Sequence, residues 1–231
     1  MSKFKTEIKL KGTVHYEVRD GVAVLTVDNP PVNPLSDGVR AGLFEGIANA
    51  EADTNVVGVV VTGKGRAFIA GADISEFGGE GDGHGLHTVF KNLEFCSKPV
   101  VAAINGLALG GGLETALCCN YRIASPSAFV GLPEVHLGLL PGAGGTQRLP
   151  RLTGPAEALK IMLSGAHVPA KKALSLGIID SISENIIEDS IAFIKEKAAN
   201  TSDHPLVRNM NDKVIEARGS ENVLVEATLL L

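Results

Sequence analysis

The run Pro99-Val100-Val101-Ala102-Ala103-Ile104 leads through Gly106 into Gly110-Gly111-Gly112, after which Leu113, Ala116 and Leu117 recur at helical spacing. A strand this apolar has no face fit for water, so it must be covered on both sides, and a helix entered through a glycine turn provides one cover. The pattern recurs along the chain. Val22 to Val27 reads as a strand, Ser36 as the cap of a helix with Val39, Leu43, Ile47 and Ala50 on one face, and Val56 to Thr62 as another buried strand. Pro155 is placed to start a helix carrying Ala158, Leu159 and Met162, with Gly165 as its stop, and a short helix follows from Pro169 to Leu176. Ile187, Ile191, Ile194 and Ala198 mark a later amphipathic helix, closed by the break Asp203-His204-Pro205. The expected class is α/β, with a core over residues 1–200 and a short, apparently truncated helical segment over 201–231. Periodicity alone does not separate a doubly wound sheet from other α/β arrangements.

The glycine turn also bears chemistry. Glycine lets a ligand approach bare backbone, and the first amides of a helix lack partners within it and lie at the positive end of its dipole. Glu114 follows at once, and Leu132-Pro133-Glu134 places a second carboxylate twenty residues later. A further turn, Arg66-Ala67-Phe68-Ile69-Ala70-Gly71-Ala72-Asp73, offers another amide. Two amides and two carboxylates are what chemistry on a carbonyl requires: donors for a developing oxyanion and groups to move protons. The plain alternative makes Glu114 a dipole-stabilised helix acid and Glu134 an ordinary loop carboxylate.

Four stretches in this order resemble the enoyl-CoA hydratase/isomerase, or crotonase, family: Ala70-Gly71-Ala72-Asp73, Asn105-Gly106-x-Ala108-x-Gly110-Gly111-Gly112-x-Glu114, Pro133-Glu134, and Pro141-Gly142-Ala143-Gly144-Gly145-Thr146-Gln147-Arg148. The likeness runs from about Thr13 to about Asn200. It implies a spiral of repeated strand-strand-helix units with a short helical C-terminal region. It also implies an enoyl-CoA hydratase of fatty-acid β-oxidation or related acyl-CoA metabolism, adding water across the 2,3 double bond. By the same resemblance the backbone N–H groups of Ala72 and Gly111 form the oxyanion hole, Glu114 activates water, and Glu134 gives a proton to carbon. Ala70, Asp73 and Ile74 then lie near the adenine and thioester, and Leu35 lies in the segment beside the pantetheine. Pro34 stands where family members more often carry alanine, so any contact through that amide is missing. Asn29-Pro30-Pro31-Val32-Asn33 and Glu216-Ala217-Arg218-Gly219 further resemble the N-terminal hydratase part of multifunctional β-oxidation proteins. The alternatives are a 3,2-enoyl-CoA isomerase, for which Glu114 is expendable, and a noncatalytic or RNA-binding member of the superfamily.

The resemblance implies no cofactor, coenzyme A entering only as part of the acyl-CoA thioester substrate, and assembly as a homotrimer or hexamer. A net charge of −5 argues against a nucleic-acid partner, and the Ser36 to Ala50 helix holds Arg40 as its lone base beside Asp37 and Glu45. No apolar run is long enough to span a bilayer, and the N-terminus lacks a secretory signal. A cytoplasmic protein is expected, a removed organellar transit peptide being invisible here. Cys96, Cys118 and Cys119 fit reduced thiols rather than a disulfide framework. The glycine-rich Gly78 to Gly85 segment reads as a mobile loop, and its His84 and Asp82, with His87, as solvated polarity rather than a metal site. Lys64 and Arg66 read as contacts to CoA phosphates or, equally, as solvated turn charges, and His136 as structural. Pro141 to Arg148 lacks the Gly-Lys-Ser/Thr ending of a phosphate loop and reads as a tight turn opening a helix near the site.

Overall fold

A computed structural model describes residues 12–76, 84–201 and 203–218. The chain opens with β1 (Thr13–Arg19) and β2 (Val22–Asp28), an antiparallel hairpin turned at Asp20 and Gly21, both at positive φ as a two-residue hairpin loop demands. Then come α1 (Asp37–Ala52), β3 (Gly58–Gly63), β4 (Ala67–Ala70), α2 (Leu86–Glu94), β5 (Val100–Ile104), β6 (Leu107–Leu109), α3 (Gly111–Cys118), β7 (Tyr121–Ala124), β8 (Phe129–Gly131) and α4 (Gly145–Thr153). The described chain ends with α5 (Pro155–Ser164), β9 (Val168–Pro169), α6 (Ala170–Leu176), β10 (Ser181–Ile182), α7 (Ile186–Asn200) and α8 (Asp212–Arg218).

Strand-strand-helix therefore repeats, and the two strands of each later unit go to different sheets. One sheet runs β1-β2-β3-β5-β7-β10 and the other β4-β6-β8-β9. Each unit advances one position in both sheets, β3 to β5 to β7 in the first and β4 to β6 to β8 in the second, all parallel. That stepwise advance is the crotonase spiral, and a doubly wound single sheet is set aside by the division of strands between two sheets.

The continuous apolar runs are explained by what covers each face. Leu25, Val59, Val61, Val100, Ala102 and Ile104 point into the main core with Val39, Leu43 and Ile47 of α1 and Leu113 and Leu117 of α3. Their neighbours Val22, Val24, Val60, Val101, Ala103 and Ile123 point the other way, into a second cluster capped by Ile186, Ile191 and Ile194 of α7. Residues just after Asp203 return to the body of the protein: Asn120 Nδ2 donates to Pro205 O at 3.2 Å, and Val207 is buried in the main core.

Ser36 does stand at the N-cap of α1, but its hydroxyl makes no capping bond there. Asn29 Nδ2 donates to Ser36 Oγ at 3.0 Å, while Glu76 Oε1 accepts from the Asp37 amide at 3.1 Å, so a carboxylate from across the fold serves that helix end. Most of the Gly78 to Gly85 segment, with Asp82, and the end of the C-terminal segment lie outside the described residues. Of the three cysteines, all free thiols, Cys118 and Cys119 are buried and Cys96 partly so.

Gly112 shows how tightly α3 is set against the second sheet. A Cβ at that position would overlap the carbonyl of Ile69 on β4, which is backbone and has no rotamer with which to yield. Gly112→Ala is expected to push α3 off β4 and destabilise the fold by about 3 kcal/mol, the upper part of the range for overpacking a core. Urea unfolding checks this, and a midpoint unchanged from wild type would show that α3 has room.

Candidate active site

The site is built where the ends of β4 and β6 meet the start of α3. After β4 the chain turns at Gly71, φ 90, and Ala72 bridges to Leu35. Leu35 N donates to Gly71 O at 3.0 Å. In a trans peptide the carbonyl and the following N–H point in opposite directions, so the Ala72 N–H is aimed away from Leu35. The same reasoning applies at the second turn. Gly110, φ 53, accepts a bond from Glu114 N at 3.0 Å, which aims the Gly111 N–H outward from the end of α3. The two amides are close, since a Cβ on Gly111 would lie 3.6 Å from Ala72 N. Ala72 and Gly111 both line a cavity of about 500 Å³, together with Ala70, Gly71, Gly110, Glu114 and Glu134.

The carboxylates enter this cavity from two elements with different surroundings. Glu114, on the first turns of α3, is 3% exposed. Its Oε1 accepts two backbone bonds, from Ala143 N at 2.8 Å and Gly145 N at 2.7 Å. Burial holds its pKa above the ordinary carboxylate value, opposed by those two amides and by the charges of Arg148 and His87. Glu134 lies on the short turn Pro133–Leu137, its Oε1 3.2 Å from where a Cβ on Gly110 would stand. Its Oε2 is buried and makes no hydrogen bond with the protein. Burial raises its pKa too, opposed by its own backbone amide and reinforced by the charge of Glu114. The Glu114 carboxylate thus has two backbone donors that favour its charged form against the effect of burial, whereas Glu134 has an orphaned buried oxygen and a neighbouring negative charge. Those environments make Glu134 the better holder of a shared proton.

The structure brings together Glu114, Glu134, Ala72, Gly111 and Ala70. Leu35 and Asp73 do not line the cavity: Leu35 is fully buried behind Gly111, and Asp73 Oδ1 accepts from Ser75 N and Oγ at the turn after Ala72. Ile74 begins that turn, and its side chain lies outside the described residues. Sequence reasoning missed the apolar wall made by Leu86, Leu109, Leu137, Leu139 and Leu140. Its signal was the density of leucines after Glu134, most of them exposed, Leu140 at 77%. The Pro141 to Arg148 turn stands at the site, as expected of it, and its amides at Ala143 and Gly145 hold Glu114. His136 turns away, its ring within 3.2 Å of Ser164 O, and Lys64 Nζ pairs with Asp28 at 2.7 Å.

Paired sheets in a spiral, with two outward amides and two carboxylates on one cavity, define a crotonase-class α/β protein. The chain belongs to the enoyl-CoA hydratase/isomerase family, whose model matches residues 17–229. It is 49% identical over 177 residues to a peroxisomal bifunctional enzyme of Danio rerio, a match covering 76% of this chain and 25% of that protein. It is 46% identical over 165 residues to a probable enoyl-CoA hydratase of Bacillus subtilis (strain 168), covering 68% of this chain and 64% of the relative. Among solved structures, the enoyl-CoA hydratase subunit I of Geobacillus kaustophilus HTA426 superposes with a TM-score of 0.75 at 33% identity, covering 94% of this chain and 86% of that one. The chain spans about a quarter of the length of the bifunctional relatives it matches. Among the described residues no helix is long and apolar enough to cross a membrane.

Proposed function

We propose that this chain hydrates 2-enoyl-CoA thioesters to 3-hydroxyacyl-CoA, within fatty-acid β-oxidation or related acyl-CoA metabolism. The observation that carries this reading is that Glu114 and Glu134 line the same cavity as Ala72 and Gly111. The thioester oxygen sits between the two amides. Glu114, as carboxylate, takes a proton from water as the water oxygen bonds to C3. The electron pair of the double bond moves onto the thioester oxygen as an enolate, which the two N–H groups stabilise. Glu134, as acid, delivers its proton to C2, and proton exchange between the carboxyls restores the starting state. The sum is one water added and no redox change, so the chain's own carboxylates suffice without a metal or redox cofactor. The leucines lining the cavity take the acyl chain.

Assembly as a homotrimer or hexamer and a cytoplasmic setting belong to the same reading, and three free thiols fit a reducing compartment. A nucleic-acid-binding role finds less support. Arg40, the base on α1, is engaged by Asp37, Glu76 and the carbonyls of Leu35 and His84.

Loss of the conjugated thioester absorbance on adding the protein to crotonyl-CoA tests the proposal, with longer enoyl-CoAs reporting chain-length preference. Saturable loss with formation of 3-hydroxybutyryl-CoA is expected. Isomerisation of a 3-enoyl-CoA that outpaces hydration and survives Glu114→Gln would replace hydratase by isomerase.

A further inference from the structure

The turn that grips Glu114 is itself gripped from a distance. Its amides at Ala143 and Gly145 flank Gly144, at φ 107, where a Cβ would collide with the guanidinium of Arg148. Arg148 Nη1 donates to Ala143 O at 3.3 Å, holding the carbonyl of the residue whose amide bonds Glu114. The rest of that guanidinium makes a two-point bond with Glu94 on α2, Nε to Oε1 and Nη2 to Oε2, each at 3.0 Å. Glu94 is 3% exposed, so its charge is held by partners rather than by water. A second cation reaches it: Arg208 Nη1 donates to Glu94 Oε2 at 3.2 Å from the turn Val207–Asn209. That turn is held in place as Arg151 Nε donates to Arg208 O at 3.0 Å and the Arg208 guanidinium lies 5.2 Å from the centre of the Phe95 ring.

We infer that Arg148 and Glu94 are positioning residues for Glu114, and that Arg208 links the turn after Pro205 to that same clamp. The chain of contacts is Arg208, Glu94, Arg148, Ala143 and Glu114, running from the surface to the cavity. A fork-shaped guanidinium bonded at two points fixes direction as well as distance, which a lone lysine cannot do. The carboxylate that must meet a water from one side therefore depends on a pair that touches neither water nor substrate. The inference rests on the proposed role of Glu114 as the activating base. The groups facing Glu114 are His87 from α2, Arg148 from α4, Glu134 from its turn and Cys118 on its own helix. With the clamp gone, Glu114 loses fixed amides and a nearby cation while its burial remains, so its pKa rises further.

The test is Glu94→Gln combined with Arg148→Gln, which removes both charges and strands neither, beside Arg208→Ala at a half-exposed position. The double variant is expected to lose about 10–100-fold in kcat with KM little changed, as for a misplaced reacting group. The acid limb of its pH–rate profile moves upward, and hydrogen exchange at the Ala143 and Gly145 amides speeds up by about tenfold or more. Arg208→Ala shifts all three readouts in the same direction by less, and carries the test if the double variant does not fold. A merely structural pair would lower thermal stability yet leave kcat per folded molecule, the acid limb and both amides at wild-type values, and that result overturns the inference. If the wild type hydrates no enoyl-CoA, the functional reading falls separately. Amide exchange in the folded variants then decides the clamp alone, unchanged protection overturning it.

Discussion

Glu134→Gln is expected to cut hydration of crotonyl-CoA by about 10²–10⁴ in kcat while leaving the fold intact. Glutamine has the size of glutamate but no acidic proton to give C2, and the oxygen it replaces makes no hydrogen bond with the protein. Glu114→Gln is expected to cost as much for the opposite reason. Its amide oxygen still accepts from Ala143 and Gly145, so the turn stays in place, but it cannot take a proton from water. Because the two serve one addition, Glu114 at the water and Glu134 at C2, the double variant falls little below either single variant. Stopped-flow absorbance gives the rates and circular dichroism the fold. Hydration near the wild-type rate in either variant would end the two-carboxylate mechanism.

The pH dependence follows from the same environments. Activity needs one proton on the pair. As pH falls, Glu114 becomes protonated and the base is lost; as pH rises, Glu134 ionises and the acid is lost. Burial raises both groups above the ordinary carboxylate value of 4.5, so both limbs of the bell lie above it. The limbs report the coupled pair rather than one residue each. Glu134→Gln removes the alkaline limb from what activity remains, and a profile with both limbs unmoved would contradict the assignment.

What the sequence reveals of this site is the part made by backbone. Gly71 and Gly110 stand at positive φ, where a side chain is strained, Gly111 opens the helix that follows, and glutamates at fixed offsets from such turns can be read as a pattern. The continuous valine runs likewise require covering on both faces, which α1 and α7 provide. Contacts between residues distant in sequence leave no such trace. The bonds from Ala143 and Gly145 to Glu114 span 29 and 31 residues, and nothing local at Glu114 announces them. Leu137, Leu139 and Leu140 look like any apolar loop until the cavity beside them is seen. Ser36 misleads for a related reason: local preference favours a cap, but Asn29 and Glu76 redistribute the bonds across the fold. β9 and β10, two residues each, are too short for periodicity to detect.

Gly111→Pro is expected to lower kcat by about 10²–10³, the loss typical of deleting one oxyanion donor. Ordinary substitutions leave a backbone N–H in place, but proline removes it. Residue 111 is the first of α3, the position where a helix tolerates proline because that N–H has no partner within the helix. The preceding residue is a glycine outside the helical region, with no Cβ for the ring to strike. The control is Gly111→Ala. Its Cβ meets Leu35 Cδ1 at 3.0 Å, a contact the flexible tip of leucine can relieve, and the N–H survives. The alanine control carries the Cβ but keeps the N–H, so the ratio of alanine to proline rates reports whether the substrate oxygen sits at that N–H, whose hydrogen the proline ring carbon replaces. Equal rates in the two folded variants would mean that the enolate oxygen does not sit between Ala72 and Gly111. A large ratio with little change in KM is the signature of a donor that acts on the transition state more than on the bound substrate.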